Sequence, residues 1–550
     1  MSTAYSYPGI YIQEMPLSTQ TISPAPTSIT AFVGYTHPYK TKAAFGTAVQ
    51  LFSFSDYEAY FGGLYTSGLY DANVARAVYA FFLNGGNNAW VVGLQPTAHG
   101  TASSVQFGSD SGDLVPIASI VPDSSAPTVG IELHALEPTD LPSLPMTAKV
   151  ANLRTTAAAP TVYTVFDLVI TYGTQVEVYR SLDISIAQGS PKSLDAVING
   201  VSNLVTVQPM SGTTYGTAFP YVSPALPVPP GPASFTLTVL GSAPAGLPTG
   251  FSGSYAAADF LPVFDVNSSL DNVEIFNLLL VPGVADNLVV SAALSFAERK
   301  RAFMIVDPAP QATAFPIPGG SLPSIDSLMP TVPLSQNGAL YFPYLNSTDP
   351  VSGKPMTVAP SGYVAGVYSA TDASRGVWKA PAGIGTSLLG TTGPVSTGVM
   401  NDMQQGVLNL DSINCLRTFT GSGTVVYGAR TLVADDQAFA QSKYVPVRRM
   451  TLFIEQSLIG SLKWVVFEPN DEPLWLAIKA SIEAFLLALF NQQALQGSTP
   501  SDAFQVKVDS TTTTPSDQQL GIVNIVVGVA LLKPAEFVVI KISQLAGQTS

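Results

Sequence analysis

The residues of this chain that could do covalent or acid–base chemistry are one thiol, three imidazoles and a few carboxylates at element ends. Cys415 is the single cysteine, so an intrachain disulfide or a thiolate metal cluster is excluded. Its setting, Asp411-Ser412-Ile413-Asn414-Cys415-Leu416-Arg417, suits a small buried apolar side chain better than a nucleophile. His37, His99 and His134 each lack a cysteine or acidic cluster at metal-ligand spacing, which leaves them as isolated surface or loop residues. Asp307 follows the apolar run Phe303-Met304-Ile305-Val306, and a strand end is where α/β enzymes place catalytic acids. Pro308 and Pro310 come next and no base lies near, so a rigid turn is the better reading. Glu468, Asp471 and Glu472 could serve a hydrolase, but a turn and a helix N-terminus account for them. No Gly-rich loop precedes a Lys-Ser or Lys-Thr pair, so a P-loop is absent. No catalytic, cofactor or metal residue is therefore expected, and the chain reads as a non-enzyme.

The elements around these residues are better defined than any site. Residues 448–495 read as helix (448–459), strand (462–467), turn (468–473) and helix (474–495). The run 462–467 is continuously apolar with β-branched and aromatic members, as in a strand buried on both faces. Asn470 can cap the second helix, with Asp471, Glu472 and Pro473 in its first turn. Trp475, Ile478, Ile482, Phe485, Leu486, Leu489 and Phe490 then recur at helical spacing. Lys479 and Glu483 interrupt this helix, which makes it a core helix and not a membrane span.

Toward the N-terminus, residues 29–35 form a buried strand and 71–83 a helix with Val74, Val78, Phe81 and Phe82 on its apolar face. Asn84-Gly85-Gly86 stops that helix, and residues 89–94 form the next strand, giving a βαβ-type unit. From 97 to 254 Ser, Thr, Ala, Pro and Gly dominate and short alternating runs appear, as in an all-β insertion with long loops. Strand, helix and strand patterning resumes with 276–283, 288–301 and 303–307, the helix ending on Arg299-Lys300-Arg301 at its negative pole. The terminal runs 10–14 and 536–542 alternate like strands but have no hairpin partner nearby, which suits addition to a sheet edge in another subunit.

Bulk composition agrees. The 550 residues are 46% hydrophobic and only 11% charged, against about 25% in ordinary soluble proteins. Such a chain needs large permanent interfaces. A net charge of −14 argues against nucleic acid as a partner. The N-terminus lacks the basic and apolar regions of a signal peptide, so the expected site of synthesis is the bacterial cytoplasm.

Several segments resemble the contractile tail sheath proteins of bacteriophages and phage tail-like injection systems. They include Tyr7-Pro8-Gly9-Ile10-Tyr11-Ile12-Gln13-Glu14, Phe82-Leu83-Asn84-Gly85-Gly86, Pro360-Ser361-Gly362-Tyr363, Arg375-Gly376-Val377-Trp378-Lys379-Ala380-Pro381, Ile413-Asn414-Cys415-Leu416-Arg417, Phe467-Glu468-Pro469-Asn470-Asp471-Glu472-Pro473-Leu474-Trp475 and Lys533-Pro534-Ala535-Glu536-Phe537. The likeness spans residues 1–95 and 256–550; the 97–254 insertion matches nothing in the family, and Tyr427 stands where Trp is common. The resemblance implies an α+β or α/β multidomain subunit: arm 1–28, core part 29–96, β-rich outer insertion 97–255, middle domain 256–400, tube-proximal core domain 401–520 and strand arm 521–550. It implies a helical homopolymer around an inner tube, capped by baseplate and terminator proteins, with no direct membrane insertion, as part of a virion tail or an extracellular or cytoplasmic contractile particle. The arm contacts implied are Tyr7, Ile10, Tyr11, Ile12, Phe537, Val538, Val539, Ile540 and Ile542; Lys479, Glu483, Gln492 and Gln493 are the tube-facing candidates. The alternatives are a static β-rich capsid or surface lattice, or a carboxylate-dependent hydrolase.

Overall fold

The computed structural model describes residues 21–541 apart from 38–40, 66–71, 310–321, 329–333, 351–352, 397–399 and 435; within 95–255 it describes 104–108, 115–116, 130–135, 146–155, 163–172, 175–183, 186, 190–199, 201–202, 204–209 and 233–236.

The apolar runs form one eight-stranded sheet. Its strands are β1 (Thr30–Tyr35), β2 (Ala48–Leu51), β3 (Ala89–Leu94), β4 (Leu278–Leu280), β5 (Phe303–Val306), β6 (Gly338–Phe342), β7 (Ile413–Phe419) and β8 (Gly423–Tyr427), in the order β8-β7-β6-β5-β4-β1-β3-β2. All neighbours from β7 to β3 are parallel, while β8 and β2 close the edges antiparallel. Strands β1, β4, β5 and β6 are buried along their whole length, which is why they read as unbroken apolar runs. The helices that cover this sheet include α1 (Phe54–Phe61), α2 (Asn73–Leu83), α3 (Asn287–Lys300), α4 (Ser361–Arg375) and α5 (Asp402–Leu410). Asp286 caps α3, accepting from the amides of Leu288 and Val289, and Arg299 and Lys300 occupy its last turn. Helices α2 and α4 cross closely: a Cβ on Gly362 would lie 2.5 Å from the Ala77 carbonyl, and one on Gly366 would lie 2.8 Å from that of Phe81.

Residues 95–255 sit in the crossover from β3 to β4. Their described strands form two four-stranded antiparallel sheets sharing a small core that includes Leu133, Phe166, Leu168, Ile170 and Val205.

The last part of the chain builds a second core. Helices α6 (Val445–Ser461) and α7 (Glu472–Asn491) pack with the hairpin of β9 (Phe504–Lys507) and β10 (Val526–Val529). Leu474, Trp475, Ile478, Ile482, Phe485, Leu486 and Leu489 of α7 are buried here, as their spacing indicates, and Phe490 is half-buried. By length and composition α7 could cross a membrane, but this face packs inside the protein.

Several expectations need correction. Residues 462–467 are not a strand: α6 runs to Ser461, a short 3-10 turn covers Lys463–Val465, and Val466 and Phe467 face solvent. Among the described residues no strand pairs with them, and an apolar run this short fits turn, helix or strand. Asp471, not Asn470, caps α7, accepting from the Glu472 amide at 2.8 Å. Asn470 accepts from Trp475 Nε1 instead and donates to the Ile522 carbonyl, tying the turn to the hairpin side. The expected boundary at 400 falls inside the eight-stranded sheet, because β7 and β8 add to its edge. The expected arm 521–550 begins too early, since β10 pairs with β9 within the chain.

The two cores meet along α6. Val445 and Leu452 belong to the sheet core, Met450, Phe453 and Ile454 to the second. At the seam Arg449 forms a two-pronged ion pair with Asp372 of α4, Nη1 to Oδ1 at 2.9 Å and Nη2 to Oδ2 at 2.6 Å, both side chains almost fully buried. Its guanidinium also lies over the Tyr368 ring, 4.7 Å from the centroid. Burial alone would weaken this charge, but the Asp372 carboxylate more than offsets it and holds Arg449 charged. Arg449→Met should cost about 3–5 kcal/mol in urea unfolding by leaving a lone buried carboxylate, and Arg449→Met with Asp372→Leu should recover most of that. Equal stability of the single variant and the wild type would contradict this.

Candidate functional site

Both ends of the described chain are fastened to the body by specific contacts just before they leave it. At the N-terminal end, residues 22–27 lie along α6. Ile22 is buried in the second core, and the amides of Ser23 and Ala25 donate to the hydroxyls of Ser461 and Ser457 at 3.0 and 2.9 Å. Those two serines are one helical turn apart, so a single face of α6 takes both bonds. Arg449 Nη2 then donates to the Thr27 carbonyl at 2.8 Å.

At the C-terminal end the chain leaves β10, pairs briefly at Leu531 with Leu495, and crosses to the edge of the large sheet. There Glu536 receives Arg430 Nε at 2.7 Å and Nη2 at 2.8 Å, Asn409 Nδ2 at 2.6 Å and the Tyr444 hydroxyl at 3.0 Å. Burial pushes the Glu536 carboxyl up, but the donors from Arg430 and Asn409 outweigh it and hold the group below its ordinary value. The next residues have no such contacts. Phe537, Val538, Val539 and Ile540 are 73–79% exposed, a run of four apolar side chains in water. The hairpin β9–β10 is likewise incomplete, since each strand has one partner among the described residues. A two-stranded sheet is marginal alone, and its open edges offer amides and carbonyls to further strands.

The residues with chemical potential have structural work. Asp307 is fully buried; its oxygens accept from the Gly283 amide at 2.9 Å, the Ser361 amide at 2.8 Å and the Ser361 hydroxyl at 2.6 Å. It binds the start of α4 to the sheet, and burial pushes its carboxyl up to about 6. Cys415 is buried in β7 and burial pushes its thiol up to about 12, far from a nucleophile. His37 is buried against the Tyr65 ring rather than exposed, which corrects its expected surface place. Among the described residues no group of His, Cys, Asp and Glu is placed to hold a metal ion. What the arrangement can do is present strands and strand edges from a rigid block.

No family model matches this sequence, and no curated protein does. Among solved structures the chain is similar to one in the baseplate of the anti-feeding prophage, with 21% identity, 99% of this chain and 100% of that one covered, and a TM-score of 0.54. It is similar to one in the contracted helical sheath of the same particle, with 21% identity, coverage of 98% and 100%, and a TM-score of 0.54. The contracted sheath of the PVC extracellular contractile injection system gives 20% identity, 99% coverage of both chains and a TM-score of 0.52. This chain has the contractile-sheath fold.

Within the sheath fold, Phe537, Val538, Val539 and Ile540 are the expected arm residues that the structure describes; Tyr7, Ile10, Tyr11, Ile12 and Ile542 lie outside the described residues, as does His99. The expected tube-facing set does not form one patch. Lys479 and Glu483 share one face of α7 at 3.9 Å, half-exposed, whereas Gln492 and Gln493 turn around its C-terminal end and line a cleft with the 532–537 segment. The pairings Arg449–Asp372 and Arg430–Glu536 follow from no local pattern, because their partners are 77 and 106 residues apart. Glu536 lies in the sheath-like run 533–537, but the signal for a pairing is only an arginine that must find a counter-charge if buried.

Glu536→Gln should leave the melting temperature of the protein unchanged but speed tryptic cleavage after Lys541 about tenfold, the equivalent of ~1.4 kcal/mol from one charge-assisted contact. Because the folded Glu536 value is depressed, the clamp holds fully above the ordinary value of 4.5 and is lost as pH falls through the lower folded value. Relative to a free peptide of the same sequence, pepsin should therefore cut wild-type protein at Phe537 increasingly as pH drops below that range; a pH-independent ratio of the two rates would contradict the clamp.

Proposed function

We propose that this protein is a structural and mechanical subunit of a contractile sheath, polymerising helically around an inner tube and contracting to drive that tube through a target envelope. The observation that carries the reading is the exposed apolar run 537–540 issuing directly from the clamped Glu536. Such a run costs free energy in water unless another chain covers it, and an extended backbone covers itself by adding to a sheet edge. The open hairpin β9–β10 supplies edges of that kind, and residues 22–25 are held against α6 of the same block. Backbone hydrogen bonds between arms and hairpins keep neighbours linked while the rigid cores rotate between two packings. Baseplate and terminator proteins fit as partners at the two ends of such a polymer, and a virion tail or a free contractile particle as its setting. The outer face of α7 bearing Lys479 and Glu483 is the proposed contact with the tube, and Gln492 and Gln493 belong to it only at its end.

Purified protein should assemble into hollow tubes in negative-stain micrographs, and deletion of residues 1–14 or 536–550 should give folded monomers that do not polymerise. Normal tubes from both truncations would sink the arm assignment, and flat lattices or shells would favour a static surface protein. Lys479→Glu should leave empty tubes intact yet abolish co-assembly with the inner tube; co-assembly at wild-type yield would remove α7 from that contact.

A further inference from the structure

At the C-terminal end of α7 a cleft of about 1390 Å³ opens between the 532–537 segment, the end of α4 and the edge strand β8. Its charges are unevenly satisfied. The acids that line it, Asp372, Asp402 and Glu536, pair with Arg449, Arg417 and Arg430, none of which lines the cleft. The cations that line it, Arg375, Lys379 and Lys533, have no carboxylate partner among the described residues. Lys379 Nζ donates to the carbonyls of Ala380 at 2.8 Å and Ala382 at 3.4 Å, and burial, then the nearby Arg375 charge, holds its ammonium below the ordinary range. With Trp378 beside them, these groups make an aromatic, uncompensated basic cleft in a chain whose net charge is −14.

The opposite end of α7, about 30 Å away for a helix of this length, carries the converse. Phe467 is fully exposed and sits at φ 73°, a left-handed conformation that side-chain-bearing residues rarely adopt. Glu468, Asp471 and Glu472 follow it, exposed and without a cationic partner among the described residues, while the one nearby lysine, Lys463, pairs with Glu274. Among the described residues nothing covers this phenyl ring or neutralises these acids.

We propose that the 466–472 turn of one copy seats in the cleft of a second copy, Phe467 against Trp378 and Glu468, Asp471 and Glu472 facing Arg375, Lys379 and Lys533. Aromatic ring meets indole, and three acids meet three bases. Because the two surfaces lie at opposite ends of one helix, the contact cannot close within a chain; repeated head to tail it links copies into a ring or an open filament. This inference rests on the self-assembly proposed above and assigns it a second contact, independent of the arms.

Crosslinking tests it on the full chain. Cys415 is buried, so Phe467→Cys and Arg375→Cys together offer the only reactive thiols to a short bis-maleimide. Assembled tubes of this double variant should give a ladder of crosslinked species on a denaturing gel, and neither single variant should give more than dimers. A single charge reversal, Glu468→Arg, should raise the protein concentration needed for tubes about tenfold, and adding Arg375→Glu should restore it. Tubes that give no ladder, or a Glu468→Arg variant that assembles as wild type, would overturn this contact while leaving the sheath reading intact. Wild-type protein that never forms tubes would overturn both.

Discussion

The buried pair of Arg449 and Asp372 is the constraint on which the geometry of this molecule depends. It lies where α6 passes from the sheet core to the helical core, and it engages α4, Tyr368 and the incoming Thr27 carbonyl at once. A buried ion pair adds little net stability over an apolar substitute, but its two parallel hydrogen bonds admit one relative orientation. The angle between the large sheet and the α6–α7 block follows from it, and so do the places where the chain ends depart. A subunit that must pass force from one neighbour to the next needs that angle fixed.

Charge is scarce in this chain, and the structure spends it on fastening. Asp307 binds the start of α4 to the loop after β4, Glu536 binds the C-terminal segment to the sheet edge, and Arg449 binds the two cores. A carboxylate whose lone pairs are filled by fixed donors makes a rigid joint and a poor acid–base catalyst. The low charged fraction fits the proposed assembly, in which other copies cover the surface.

The buried parallel strands were legible because their environment is uniform. Residues 31–33 and 303–306 are unbroken apolar runs that become strands buried on both faces. The faces of α2 and α7 were legible from periodicity, and Pro473 from the position of a helix start. Residues 462–467 were misread because an apolar run says only that something covers it: Leu462, Trp464 and Val465 pack on the second core as a turn, and Val466 and Phe467 stay exposed. The exposed Phe467 is thus a misreading with content, and the contact proposed above would cover it with a second copy. The fastenings were invisible for another reason. Arg430 and Glu536 meet only after the whole fold has formed, so no local pattern joins them. Residues 23–27 offered no periodicity either, because their order comes from serines on a helix far along the chain.

Amide hydrogen exchange across assembly tests the central claim most directly, that unpaired chain ends on a rigid block become shared strands between subunits. Comparing unassembled subunits with tubes, the account predicts that amides of residues 537–541 change from near-unprotected exchange to protection at least ~100-fold slower, while those of β4, β5 and β6 stay as they were. Tubes in which residues 537–541 still exchange freely would contradict it.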